Sequence, residues 1–191
     1  MPMTPAEAAD SLKAIEKTAH TSAVSHRYAR SAPHLMLWGC VWCCGYILTD
    51  LAPRFANGLW AVLMIGAVIA AMLIGRAQQR AAGGNPGNAE AERFGWRYPA
   101  AMFLFFCFIG AVYTVMRPVS YAAQAAFVPL VVACVYAIMG LWIGWRFVVA
   151  GIVLAALTLG GFFYLPHHFL IWQGIAGGGA LILAGFWFRK V

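Results

Sequence analysis

The sequence predicts an all-α integral membrane protein: six transmembrane helices as three consecutive antiparallel hairpins, preceded by a short amphipathic N-terminal helix. Three observations lead there. Of the 191 residues, 63% are hydrophobic and only 10% charged, against roughly a quarter charged in a soluble domain. Thirteen basic and six acidic residues cannot form the polar shell of a soluble core this size. Six continuous apolar runs each come close to the ~20 residues that a helix needs to cross a hydrocarbon core about 30 Å thick. None alternates with the period of a membrane strand, which favours helices over a barrel.

The first thirty residues contain no apolar stretch of signal-peptide form. Thr4-Pro5-Ala6-Glu7 has the form of a capping box with proline at the first helical position. Leu12, Ile15, Ala19 and Ala23 then recur at helical spacing. Residues 1–31 are therefore expected to form a cytoplasmic segment carrying a weakly amphipathic helix. That helix would lie on the membrane, fold back on the protein's own cytoplasmic face, or dock a soluble partner.

Residues 32–191 form the expected transmembrane domain. Its spans run from Pro33 to Leu51, Asn57 to Gly75, Tyr98 to Met116, Ser120 to Gly144, Phe147 to Leu165 and His168 to Phe188. The connection 76–97 contains Gly83-Gly84-Asn85-Pro86-Gly87-Asn88, the composition of a flexible cytoplasmic loop. The other connections are short enough to make successive spans antiparallel neighbours.

Orientation follows from the basic residues. Lys13, Lys17, Arg27, Arg30, Arg76, Arg80, Arg93, Arg97, Arg146, Arg189 and Lys190 fall on one side, and only Arg54 and Arg117 on the other. An eleven to two split assigns the rich side, and with it both termini, to the cytoplasm. Trp96, Trp142, Trp145 and Trp187 mark the same ends as interfacial aromatics, whereas Trp60 and Trp172 mark the opposite ends. Trp38 and Trp42 lie inside the first span, four residues apart, and are expected to pack against neighbouring helices. The net charge of +7 is thus a topology signal; it forms no basic stripe interleaved with aromatics, and no nucleic-acid partner is expected.

A threefold internal repeat is suggested by Pro53, Pro118 and Pro166, one at the outer turn of each hairpin. Each return helix ends on a basic residue, Arg76, Arg146 or Arg189. Repeats inserted in the same sense would be related by an axis along the membrane normal.

Candidate chemistry is sparse, since the central parts of all six spans lack Asp, Glu, Lys and Arg. Asp50, Arg117, Gln124, His168 and Gln173 fall toward the outer ends and together could line a polar vestibule. An ion pair from Asp50 to Arg54 or Arg117, and interhelical hydrogen bonds from the two glutamines, are the simpler reading of the same residues. Cys40, Cys43, Cys44, Cys107 and Cys134 could share the midplane, where soft thiolates suit Cu(I) or zinc. Against that, thiols in hydrocarbon resist ionisation and pack as small apolar groups. Gly174 with Gly178 and Gly140 with Gly144 fit the small-xxx-small pattern of close helix contact, which serves a homo-oligomer as readily as one chain. No intramembrane protease motif and no phosphate-binding loop occurs, so neither catalysis nor a cofactor is expected.

Leu35-Met-Leu-Trp-Gly-Cys-Val-Trp-Cys-Cys-Gly-Tyr46 and Leu165-Pro-His-His-Phe-Leu-Ile-Trp-Gln-Gly-Ile-Ala-Gly-Gly-Gly-Ala180 resemble segments of a loosely defined set of small bacterial six-helix proteins, often encoded beside winged-helix regulators. The resemblance covers most of the chain. It implies a bacterial inner membrane and no catalytic residues. Three readings follow. The first is binding or permeation of a small molecule through the bundle. The second is a regulatory or scaffolding protein that docks a cytoplasmic partner through its N-terminal helix. The third is a midplane thiol or metal site.

Overall fold

The computed structural model describes residues 5–81, 97–116 and 120–190, and every regular element among them is helical. Thr4, Arg117 and the loop residues 82–96 lie outside the described residues. The elements are α1 (Pro5–Leu51), a 3-10 turn (Pro53–Phe55), α2 (Ala56–Ala81), α3 (Arg97–Met116), α4 (Tyr121–Ile143) and α5 (Trp145–Tyr164). A second 3-10 turn (Pro166–His168) leads into a composite last helix: α6 (Phe169–Trp172), a π-helical segment (Gln173–Gly178) and α7 (Gly179–Arg189).

Five stretches are long and apolar enough to cross a membrane: Thr21–Leu51, Pro53–Ala81, Tyr121–Ile143, Trp145–Tyr164 and Pro166–Arg189. Helix α3 has 20 residues and holds the shorter apolar stretch Phe103–Met116. Burial is reversed from that of a soluble bundle. On α2 the large residues Val62, Ile65, Ile69 and Leu73 face outward, whereas Ala56, Ala67 and Ala71 are buried. Large apolar groups outside and small ones at the contacts suit a lipid solvent, which gives helices no hydrophobic reason to associate. The chain is an all-α membrane protein.

Proline at position 33 predicts a helix start, but α1 runs through it without a break for 47 residues, about 70 Å at 1.5 Å per residue. Packing overrides the local preference. Tyr28, Ala32 and Leu35, four and three residues apart on one face, lie on both sides of Pro33 and are all buried. They pack with Phe147 and Phe188, so the helical path is fixed from outside the helix.

The last helix lies along α1 at close range. An added Cβ at Gly39 would fall 2.7 Å from the Gly178 carbonyl oxygen, and one at Gly178 would fall 2.8 Å from that of Gly39. One at Gly185 would fall 2.9 Å from the Ala32 carbonyl oxygen. Helix α2 packs antiparallel to α1: the Trp60 indole N–H donates to Thr49 Oγ1 at 2.9 Å near one end. Gln78 Nε2 donates to the Arg30 carbonyl at 3.0 Å near the other. Trp42, as expected, is a packing residue, meeting Tyr46 edge-on in the core.

Helices α4 and α5 pair intimately, through Gly151 against the Ala133 carbonyl and Gly140 against Val148. The single residue between them is Gly144, at φ +148°, a conformation that L side chains rarely adopt. The Ser120 hydroxyl caps α4 by accepting from the Ala123 N–H at 3.1 Å. Helix α3 is peripheral, tied to α4 by the Tyr113 hydroxyl, which donates to the Gln124 carbonyl at 2.6 Å.

The α1 contact can be tested by two adjacent substitutions. Gly178→Ala is expected to destabilise the protein by about 1–3 kcal/mol through overpacking. Gly179→Ala, with nothing within 4 Å of its new Cβ, should be neutral or stabilising by up to about 1 kcal/mol. Thermal or denaturant unfolding in detergent reads the difference.

Candidate functional site

Three polar side chains are fully buried among the described residues: Thr49, Thr158 and Gln173. Both threonines are satisfied within their own helices, Thr49 Oγ1 donating to the Gly45 carbonyl at 2.6 Å and Thr158 Oγ1 to the Leu154 carbonyl at 2.8 Å. Gln173 differs, because neither Nε2 nor Oε1 has a hydrogen-bond partner. An unpaired amide in hydrocarbon is expensive, by about 1–3 kcal/mol on mutational evidence.

Gln173 opens the π-helical segment, which packs between α1 and α5. Three glycines make this local structure possible. Gly177 has no Cβ where the Gln173 amide lies back along the helix, and Gly174 and Gly178 admit α1. On the α1 side the Cys43 thiol donates to the Gly174 carbonyl at 3.1 Å. Next to the segment, the Trp172 indole N–H donates to the Leu157 carbonyl at 2.8 Å, with its ring seated on Gly161. The Tyr46 hydroxyl, one turn beyond Cys43 on α1, donates to the Ala125 carbonyl at 2.9 Å. These bonds leave the Gln173 amide as the one side-chain group among these neighbours with a free donor and a free acceptor together.

Among the described residues those of the expected vestibule differ in their exposure. Gln173 is buried, Asp50 half-buried, and Gln124 and His168 exposed, while Arg117 lies outside the described residues. Gln124 is exposed for a helical reason: Ala126, Pro129 and Ala133 form the buried face of α4, and position 124 lies off that face. His168 belongs to the exposed 3-10 turn. Among the described residues Asp50 makes no ion pair, with Arg54 or any other group.

The five cysteines also differ in placement. Cys40, Cys44, Cys107 and Cys134 are exposed on the outer surface of their helices, and only Cys43 turns inward. Cys40 and Cys44 share a face of α1 distinct from the face of Gly39 and Cys43 that meets the last helix. Among the described residues no three His, Cys, Asp or Glu side chains come together as a metal-binding group.

A second polar feature escaped the sequence reading, which took Arg146, Trp145 and Trp187 only as markers of the membrane boundary. Arg146 Nη1 donates to the Trp187 carbonyl at 2.7 Å. Its guanidinium carbon lies 4.9 Å from the Trp187 ring centroid and 5.5 Å from that of Tyr28, within cation–π range. The Tyr28 hydroxyl accepts from the Arg146 backbone N–H at 3.1 Å and abuts Gly144. Phe147 and Phe188 complete the group, 4.8 Å apart between centroids. The signal was present as the clustering of Trp145-Arg146-Phe147 and Trp187-Phe188 at helix ends, but nothing in the sequence joins them to Tyr28.

Fold and site thus define an all-α membrane protein with one orphaned buried amide and one aromatic-lined arginine. No protein-family model, curated protein or solved structure matches the chain.

Gln173→Met keeps the side-chain length and removes both unpaired polar atoms. It is expected to stabilise the ligand-free protein, by about 1 kcal/mol or more, measured as a raised unfolding midpoint in detergent.

Proposed function

We propose that the protein is an integral membrane protein that binds a small hydrogen-bonding molecule inside its helix bundle, at the Gln173 carboxamide. One observation carries the reading: Gln173 is fully buried, has no partner for donor or acceptor, and stands in a π-helical segment. Single π turns within helices recur at functional sites. A carboxamide presents a donor beside an acceptor, so the ligand is a neutral molecule offering the complementary pair, of the amide, urea or lactam class. Binding accounts for the polar groups better than permeation, because Gln173 is fully buried whereas Gln124 and His168 are exposed and Asp50 is half-buried.

The same reading takes six spans in three hairpins, both termini cytoplasmic, in a bacterial inner membrane. The resemblance and the charge split support it. So does the similarity of two turns. Ala52 before Pro53 has φ −138° and ψ 64°, Leu165 before Pro166 has φ −131° and ψ 48°, and each proline opens a 3-10 turn.

The binding reading predicts that full-length protein extracted gently from cells carries a small molecule, detected by mass spectrometry after denaturation, which Gln173→Met protein lacks. An identical small-molecule content in both, with the variant folded, would overturn it.

A second reading, docking of a soluble partner through the N-terminal part of α1, is favoured by Leu12 and Ile15, which are 67% and 65% exposed on a helix that extends past its membrane-length portion. A photo-cross-linker placed at position 12 or 15 in intact cells is expected to capture a cytoplasmic protein. Capture of lipid or of proteins from the opposite compartment alone would dispose of both the docking and the orientation.

A further inference from the structure

Between α5 and α7 runs an apolar groove of about 200 Å³. One wall is Val149, Ala150 and Val153, and the other is Ala180, Ala184 and Trp187. The spacing matters. Val149, Ala150 and Val153 lie three, four and seven residues after Arg146, so position 146 shares the helix face that forms the wall. On the facing helix Ala180, Ala184 and Trp187 repeat the pattern and end at the residue whose carbonyl and ring hold Arg146. The groove therefore has a long apolar floor and a cation at one mouth. From Arg146 to Val153 it covers roughly 10 Å of helix, most of the depth of one leaflet.

That cation has no counter-charge among the described residues. Among the described residues no carboxylate pairs with Arg146; its guanidinium meets a carbonyl and three aromatic rings. A guanidinium has five N–H donors in a fork that matches phosphate oxygens, and only Nη1 is engaged by the Trp187 carbonyl. The aromatic rings fix its position without neutralising it. The N-terminal end of α5 adds the positive end of a 20-residue helix dipole at the same mouth. Exposed Arg189 and Lys190, in the last turn of the neighbouring helix and just beyond it, raise the local positive potential further.

We infer that this groove is a binding site for one anionic phospholipid, with an acyl chain along the α5–α7 floor and the phosphate on Arg146. Any lipid would cover the apolar floor; the unpaired cation at its mouth selects a negatively charged one. Basic pockets between transmembrane helices recognise anionic headgroups in this way. The site is separate from Gln173 and does not depend on the binding proposed there.

The test uses full-length protein reconstituted in nanodiscs of equimolar phosphatidylcholine and phosphatidylglycerol, extracted into neutral detergent and weighed intact by native mass spectrometry. Retained lipid should be enriched in phosphatidylglycerol by about fivefold, the discrimination given by one basic residue near the headgroups. Arg146→Gln should bring the ratio near one. Because Arg146 also holds Trp187, a second variant keeps its charge and fills the floor: Ala184→Phe should likewise abolish the enrichment. Arg189→Gln, outside the groove, should retain most of it, lowering the ratio by less than Arg146→Gln does. Equal retention of the two lipids by the unaltered protein, or enrichment that persists in Ala184→Phe, would overturn the site and leave the groove a nonspecific lipid or protein contact.

Discussion

The bundle depends on the close approach of α1 and the last helix. In lipid, apolar side chains gain nothing by leaving the solvent, so association rests on van der Waals contact and hydrogen bonds between helices. Small residues bring the two backbones near enough for both. Gly39 faces Gly178, Ala32 faces Gly185, and Cys43 reaches the Gly174 carbonyl. The π-helical segment falls within this contact, and with it the orphaned amide of Gln173. Site and packing therefore share one origin: the glycine run that admits α1 at Gly174 and Gly178 also leaves room, at Gly177, for an amide lying along its own helix.

The Arg-rich end is secured differently, by a polar and aromatic knot. Tyr28 from α1, Arg146 and Phe147 from α5, and Trp187 and Phe188 from α7 meet there. Gly144 makes the meeting possible, because its φ of +148° turns the chain from α4 to α5 within one residue and its missing side chain leaves space for the Tyr28 hydroxyl. Among the described residues the arginine is held by rings and a carbonyl. Rings and a carbonyl thus order a cation that no carboxylate neutralises among the described residues.

The apolar runs were legible because length and continuity are one-dimensional properties, and the small-xxx-small spacing of Gly174 and Gly178 correctly marked a close contact. Facing was not legible. In a soluble helix the polar side identifies itself, but here both sides are apolar, so the sequence does not distinguish Gln124, which points outward, from Gln173, which points in. The five cysteines looked equivalent for the same reason, although only Cys43 turns toward a neighbour. Pro33 misled because its start signal is local whereas the burial of Tyr28, Ala32 and Leu35 around it is tertiary. Arg146 carried a topological meaning that hid its contacts, which join residues as far apart as 118 positions.

The Cys43–Gly174 hydrogen bond spans 131 positions of sequence, and that separation governs the order of assembly. During synthesis α1 enters the bilayer long before its main partner exists. Its small-residue face at Ala32, Gly39 and Cys43 must wait against lipid while α2 to α5 are made, and the contact closes only when the glycines of the last helix arrive. A topology with so distant a closing contact folds late and as a unit. Its quality control falls on the later of the two partner helices rather than on the earlier.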